Sequence, residues 1–157
     1  MLSRGTQRLL RVDTYLLTRQ LSEAAASGGG AAETYDVLVC GGGVVGAATI
    51  SNLLRLVGAS HKHLKIGIVD ARGPPTLESC LERKGYDLRV YALAPQSIEL
   101  LKKTGAWKYI EPRSQPYYDM QVWDHAGPGV VKFSAPDSGV EELGRLAEDS
   151  TIQAALF

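Results

Sequence analysis

A cluster of glycines early in the sequence offers its clearest chemistry. Residues 41–46, GGGVVG, fit the pattern G-x-G-x-x-G, in which backbone amides hold the pyrophosphate of a dinucleotide. Amides at the start of the following helix, with the positive end of its dipole, would stabilise phosphate without a lysine. We therefore predict a dinucleotide site whose ligands are Gly41, Gly42, Gly43, Val45 and Gly46.

Each glycine of the pattern has its own physical reason. Gly41 lets the chain turn sharply, Gly43 lets backbone approach the pyrophosphate, and Gly46 lets a helix pack closely on a strand. The alternative interpretation is a tight turn between a strand and a helix that binds no ligand. The flanking residues decide between the two.

A carboxylate follows at the place where a ribose ligand is expected. Residues 64–69 predict a second strand, which ends in Asp70. An acid about 20 residues after the last glycine accepts hydrogen bonds from the ribose hydroxyl groups in dinucleotide-binding folds. Asp70 would also repel a 2′-phosphate, because both groups are negatively charged. We therefore add Asp70 to the predicted site.

The elements that must position these residues surround them in the sequence. Residues 34–40 form a nearly continuous apolar run, which is typical of a parallel strand buried on both faces. Residues 47–57 are small or apolar and predict a helix that packs on a sheet, with Gly58 able to end it. Strand, turn, helix and strand form the βαβ start of an α/β fold.

Beyond Asp70 the pattern departs from that of an ordinary NAD dehydrogenase, in which a third strand soon follows through a helical crossover. Residues 71–75, ARGPP, interrupt regular secondary structure, and a polar stretch separates them from a strand-like run at residues 88–93. We expect that run to extend the parallel sheet begun by residues 35–70. The departure favours a flavin-binding fold.

The remaining segments predict one helix and one small sheet. Pro95 near the start and Gly105 just past the end bracket a helix. Residues 118–134 contain two strand-like runs with a Gly-Pro-Gly connection, which predict the start of a small antiparallel sheet.

The amino-terminal residues 1–33 form a separate unit. Four arginines face one side of a predicted helix and dispersed leucines face the other, with Asp13 as the only acid before Glu23. A basic amphipathic segment is typical of a mitochondrial presequence, and an Ala/Ser/Gly-rich joint follows it. Plastid targeting, a surface helix and a disordered tail are the alternatives. Residues 34–157 would then form the folded part.

The residue counts of the whole chain limit the kinds of partner and ligand that the sequence predicts. Lys+Arg and Asp+Glu both number 17, so the charge balance indicates no nucleic-acid partner. Cys40 and Cys80 have no CxxC spacing, and His61 and His63 lie in a polar loop beside lysines, so we predict no metal site. No apolar run reaches the roughly 20 residues of a membrane-spanning helix, so any membrane association would be peripheral.

An ordered string between residues 89 and 124 resembles the FAD-dependent ring hydroxylases of ubiquinone biosynthesis, in particular their eukaryotic mitochondrial branch. The resemblance spans about residues 35–156, and residues 120–124, MQVWD, are its most telling part. The string comprises Arg89-Val90, Leu93, Pro95, Ser97, Leu101, Gly105-Ala106-Trp107, Arg113 and Met120-Gln121-Val122-Trp123-Asp124.

The resemblance implies a Rossmann-like FAD-binding fold of the flavoprotein aromatic-hydroxylase type, present only in its amino-terminal part. It implies FAD as cofactor, with Arg89 beside the flavin, although an ion-pair role for Arg89 would look the same in sequence. The implied reaction uses O₂ to hydroxylate the aromatic ring of a polyprenylated phenol. The implied partners are a ferredoxin electron donor and a biosynthetic complex on the matrix face of the mitochondrial inner membrane.

Two departures from the family pattern affect these expectations. Residues 146–156 resemble a family helix, but Asp149 stands where the family has Asn. The resemblance gives Glu148 a role at the cofactor, and the alternative is that the short acidic side chain of Asp149 caps the helix. The family's later Gly-Asp motif has no counterpart here, so we expect this part not to catalyse alone. The alternatives are an NAD-dependent oxidoreductase and a non-catalytic dinucleotide-binding isoform.

Overall fold

A computed structural model describes residues 34–58 and 63–157 of the chain. The predicted presequence and His61 lie outside these residues. The strands are β1 Val37–Cys40, β2 Ile66–Val69, β3 Val90–Leu93, β4 Gln115–Tyr117, β5 Asp119–Trp123, β6 Val130–Ser134 and β7 Gly144–Glu148. The helices are α1 Val44–Val57, α2 Leu77–Leu81, α3 Pro95–Thr104, α4 Trp107–Ile110 and α5 Asp149–Leu156, with a short 3₁₀ turn at Glu111–Arg113.

The first unit has the βαβ order expected from the sequence, but the residues of β1 are half-buried or exposed rather than buried on both faces. Strands β1 and β2 pair in parallel, from Val37 opposite Ile66 to Cys40 opposite Val69, and α1 connects them along the chain. Gly58 ends α1 with a φ of 52°, and its N–H donates to the carbonyl of Leu54. A residue with a side chain would be strained at that φ, which accounts for the glycine at this position.

Strand β3 is not part of this parallel sheet, and the expected extension of the sheet by the strand near Arg89 is wrong. β3 pairs antiparallel with β7, which pairs on its other edge with β4, so the second sheet has the order β3-β7-β4. The backbone groups of β3 therefore find their hydrogen-bond partners in a strand that lies more than fifty positions later. A pairing at that separation leaves no local pattern in the sequence.

The last helix is shorter than expected, because residues 146–148 belong to β7 and α5 begins at Asp149. Val90 lies opposite Glu148 and Ala92 opposite Leu146, so the ladder with β3 takes up the backbone that a helix would need. Gly144 begins β7 where a Cβ would lie 2.2 Å from the carbonyl oxygen of Leu93. Only glycine permits this approach of the two strands.

Helices α3, α4 and α5, together with Ala147 of β7, form the main core of the described residues. α3 begins with Pro95 and ends before Gly105, which has a φ of 81°, as the sequence predicts. Its buried side chains pack with those of α4 and α5 rather than on the parallel strands. The core residues are Ile98, Leu101, Ala106, Trp107, Ile110, Ala147 and Ile152.

Strands β5 and β6 form the antiparallel hairpin that residues 118–134 predict. Alternation along the paired strands places four apolar side chains on one face, and each is at least one third exposed. We call these four residues the apolar hairpin face; they are Met120, Val122, Val131 and Phe133. In the part of the chain that the structure covers, no helix is long and apolar enough to cross a membrane.

Candidate functional site

The glycine turn joins β1 to α1 and is fastened to the end of β2. Gly41 has a φ of +107°, which disfavours any residue with a side chain. Its N–H donates to the carbonyl of Val69 at 2.7 Å. The N–H of Gly42 donates to Oδ2 of Asp70 at 2.6 Å. The predicted site residues at the two ends of the βαβ unit are therefore in direct contact.

Gly46 lies where the helix passes closest to the turn. A Cβ on Gly46 would lie 1.8 Å from the carbonyl oxygen of Gly41 and 3.3 Å from a side-chain carbon of Val39. No side chain fits there without moving the helix away from the strand. Gly46 thus has the packing role that the pattern predicts, independently of any ligand.

The start of α1 is open. Gly43 precedes the helix in an extended conformation, no side chain caps the helix, and its first turn has no acidic residue. A Cβ on Gly43 would meet nothing within 4 Å, and Val45 in the first turn is 79% exposed. The first amides of a helix have no partners within the helix, so these groups and the dipole can receive an anionic group. The residues present fit a pyrophosphate.

Asp70 has a structural role that the sequence did not reveal. One carboxylate oxygen accepts from Gly42, and the other accepts from the N–H of Arg72 at 2.8 Å. These hydrogen bonds, that of Arg72 first, lower the pKa of Asp70, so the group stays ionised. A carboxylate has about four acceptor positions, so acceptors remain for ribose hydroxyl groups. Contact of Asp70 with ribose stays a prediction.

Arg89 lies immediately before β3 with a side chain that is 69% exposed. Its guanidinium lies 3.7 Å from the carboxylate of Asp149, and its carbonyl accepts from the N–H of Asp149 at 3.0 Å. Both roles considered for Arg89 are compatible with this geometry, since an exposed guanidinium with one partner keeps further donors. Its contact with a cofactor stays a prediction.

An ion pair between the partly buried Arg113 and the buried Glu148 is the strongest polar feature that sequence reasoning missed. Glu148 is 3% exposed, and the guanidinium contacts both of its oxygens, with Nη2 at 2.9 Å from Oε1. The hydrogen bond from Arg113 is the main cause that lowers the pKa of Glu148, and it raises that of Arg113. The partners are 35 positions apart, and no spacing indicates the pair.

The comparisons with known proteins agree with the resemblance expected from the sequence. No protein-family profile matches the chain. The mitochondrial ubiquinone biosynthesis monooxygenase COQ6 of Xenopus tropicalis is 33% identical over 150 residues, which cover 95% of this chain and 30% of that protein. The Homo sapiens protein of the same name is 34% identical over 131 residues, which cover 83% and 27%.

A bacterial protein extends this similarity. The ubiquinone hydroxylase UbiL of Rhodospirillum rubrum is 27% identical over 129 residues, which cover 82% of this chain and 28% of that protein. The chain therefore spans less than a third of the length of these curated relatives. The expected resemblance to the ubiquinone-biosynthesis ring hydroxylases is confirmed.

Proposed function

Because this chain belongs to the family of COQ6-like ubiquinone-biosynthesis monooxygenases, we propose that its glycine turn binds FAD. We also propose that the chain serves the FAD-dependent hydroxylation of the aromatic ring of a polyprenylated phenol. The observation that carries the proposal is the uncapped start of α1 next to the Gly42–Asp70 hydrogen bond. The βαβ unit around it supports a Rossmann-like FAD-binding fold of the aromatic-hydroxylase type.

Each site residue has a defined task in this proposal. The amides of Gly43 and Val45 donate to the pyrophosphate, which approaches over the open side of Gly43. Asp70 accepts from the ribose hydroxyl groups while it holds the turn through Gly42. Arg89 pairs with a phosphate or ribose oxygen farther along the cofactor. Bound FAD supplies the activation of O₂ and the transfer of one oxygen atom to an electron-rich ring.

The cellular setting is part of the proposal. The COQ6 relatives are named as mitochondrial, and residues 1–33 have the composition of a mitochondrial presequence. We place the protein at the matrix side of the inner membrane, in a ubiquinone-biosynthesis complex, with electrons from a ferredoxin. Copurification with that complex from mitochondria tests this placement, and a protein found only outside mitochondria contradicts it.

The cofactor proposal is tested by an NMR titration of the ¹⁵N-labelled 157-residue chain with FAD, ADP and NADH. We expect FAD and ADP to shift the amides of residues 41–46 and Asp70, with FAD alone also shifting Arg89. Binding should be weak, because the family's Gly-Asp motif is not in this sequence. The absence of shifts at millimolar concentrations of all three nucleotides would overturn the proposal. Shifts at Arg89 with NADH but not with FAD would favour an NAD-dependent oxidoreductase.

A chemical probe gives a second measurement of the same site. Cys40 is exposed directly before the glycine turn, whereas Cys80 is buried and serves as an internal control. FAD and ADP should slow the alkylation of Cys40 and leave that of Cys80 unchanged. Equal alkylation rates of Cys40 with and without saturating ADP would contradict a nucleotide at this turn.

Catalysis by this part of the protein is a separate question. Turnover by residues 34–157, together with retention of FAD at sub-micromolar concentration, would contradict the expectation that this part does not catalyse alone.

A further inference from the structure

The carboxylate of Glu148 has no oxygen left for a cofactor. Oε1 accepts from the N–H of Asp87 at 2.7 Å and from Arg113, and Oε2 accepts from Arg113 and from the hydroxyl of Thr151. The residue is 3% exposed. A buried carboxylate with both oxygens occupied is unsuited to direct contact with a ligand from solvent.

Arg113 also donates two hydrogen bonds to the segment that leads to Arg89. Nη1 donates to the carbonyl of Arg83 at 3.0 Å, and Nη2 donates to the carbonyl of Gly85 at 2.8 Å. Together with the bond from the Asp87 N–H to Glu148, the ion pair holds residues 83–87 at three backbone groups. This segment contains no regular secondary structure, so these bonds replace the ladder that would otherwise fix it.

Arg89 follows this segment by two residues and is held from the other side as well. Its carbonyl accepts from the N–H of Asp149, the residue after Glu148. The backbone on both sides of Leu88 is therefore attached to the junction between β7 and α5. A long side chain that is 69% exposed reaches a fixed place only if its backbone is fixed, because each free rotation costs entropy on binding.

We propose that Glu148, with Arg113, is a positioning residue that fixes the backbone at residues 83–89 and so presents Arg89 to FAD. This inference rests on the proposed function, since it takes Arg89 as a ligand of the cofactor. It assigns Glu148 a role through Arg89 and not by contact with FAD. The substitution of Asn by Asp149 is compatible with it, because the Asp149 side chain faces Arg89.

The test is a double-mutant cycle on FAD affinity, measured by NMR titration of the full chain with Glu148→Gln, Arg89→Met and the double variant. Glu148→Gln should lower the affinity for FAD about tenfold when Arg89 is present, and should have almost no effect on that affinity after Arg89→Met. Equal losses in both backgrounds, or no loss in either, overturn the inference. Glu141→Gln removes the same charge from an exposed position and should leave the affinity unchanged.

Glu148→Gln leaves the partly buried Arg113 without a charged partner and could unfold the chain, so a second variant is included in the test. Replacing both partners, Arg113→Met with Glu148→Leu, removes the charges together and should leave the fold in place. Hydrogen exchange at the Asp87 amide should then be faster than in the unmodified chain, and FAD affinity should fall only if Arg89 is present. Unchanged exchange at Asp87 would overturn the inference. If the unmodified chain does not bind FAD, the proposed function itself fails. If it binds FAD but the effects of Glu148→Gln and Arg89→Met are additive, only the proposed role of Glu148 fails.

Discussion

Asp87 caps a helix that lies 63 positions further along the chain: its Oδ2 accepts a hydrogen bond from the N–H of Ser150 at 3.1 Å. Helix α5 has no side-chain cap from its own flanking residue Glu148. The segment before β3 thus supplies the acceptor that the first turn of α5 lacks. Both ends of this contact belong to the region that fixes Arg89.

The first prediction concerns the pH dependence of this contact. The hydrogen bond from the Ser150 side chain first, then those from the N–H groups of Arg89 and Ser150, lower the pKa of Asp87 from its ordinary value of 3.8 to about 2. A lowered pKa stabilises the fold above pH 3.8, and the contribution is lost as the pH falls toward 2. The advantage of the unmodified chain over Asp87→Asn should therefore fall by about 1 kcal/mol between pH 6 and pH 3. Urea unfolding measures this difference, and a difference that does not change with pH refutes the contact between the Asp87 carboxylate and Ser150.

The second prediction compares two glycines of the turn. Gly46→Ala places a Cβ 1.8 Å from a backbone oxygen, and we expect it to lower the free energy of unfolding by about 3 kcal/mol or to prevent folding. Gly43→Ala is the matched control, because its Cβ meets nothing within 4 Å. Gly43→Ala should keep the fold but lower the affinity for FAD, because the new methyl group fills the space where the pyrophosphate is proposed to bind. Urea unfolding and NMR titration measure the two effects. Equal stability of the two variants would show that helix and turn do not pack as described.

The third prediction concerns Asp70. Asp70→Ala removes the acceptor of the Gly42 N–H, so hydrogen exchange at Gly42 should accelerate and FAD should bind about tenfold more weakly. Asp70→Asn keeps an acceptor oxygen and should be intermediate in both measurements. The lowered pKa of Asp70 means that its contribution is present above pH 3.8 and lost at lower pH. Full FAD affinity in Asp70→Ala would show that the carboxylate takes no part in binding.

The fourth prediction concerns the apolar hairpin face. Val122 and Val131 are opposite each other and each is 53% exposed. Replacing both with Thr should reduce the binding of a hydrophobic dye and self-association, with a change in unfolding free energy of less than about 0.5 kcal/mol. Gln121→Thr with Lys132→Thr changes the opposite face of the same hairpin and should not reduce dye binding. A loss of stability in the first variant would show that the face is packed in solution.

The local patterns of the sequence predicted the parts of the fold whose causes are local. The glycine turn, helix α1, its end at Gly58, and α3 between Pro95 and Gly105 follow from backbone freedom and capping, which act within a few residues. The hairpin at residues 118–134 follows from strand alternation around a turn. The resemblance to a hydroxylase family added the expected cofactor and chemistry.

Pairings between residues far apart in the sequence are visible only in the folded chain. From the sequence we expected β3 in the parallel sheet and a last helix that begins at residue 146. Both expectations were wrong, because β3 forms its backbone hydrogen bonds with β7. The Arg113–Glu148 pair and the cap from Asp87 to Ser150 join residues at separations of 35 and 63. Such contacts depend on where the fold of the whole chain brings polar and charged groups together, and periodicity or spacing along the sequence does not indicate them.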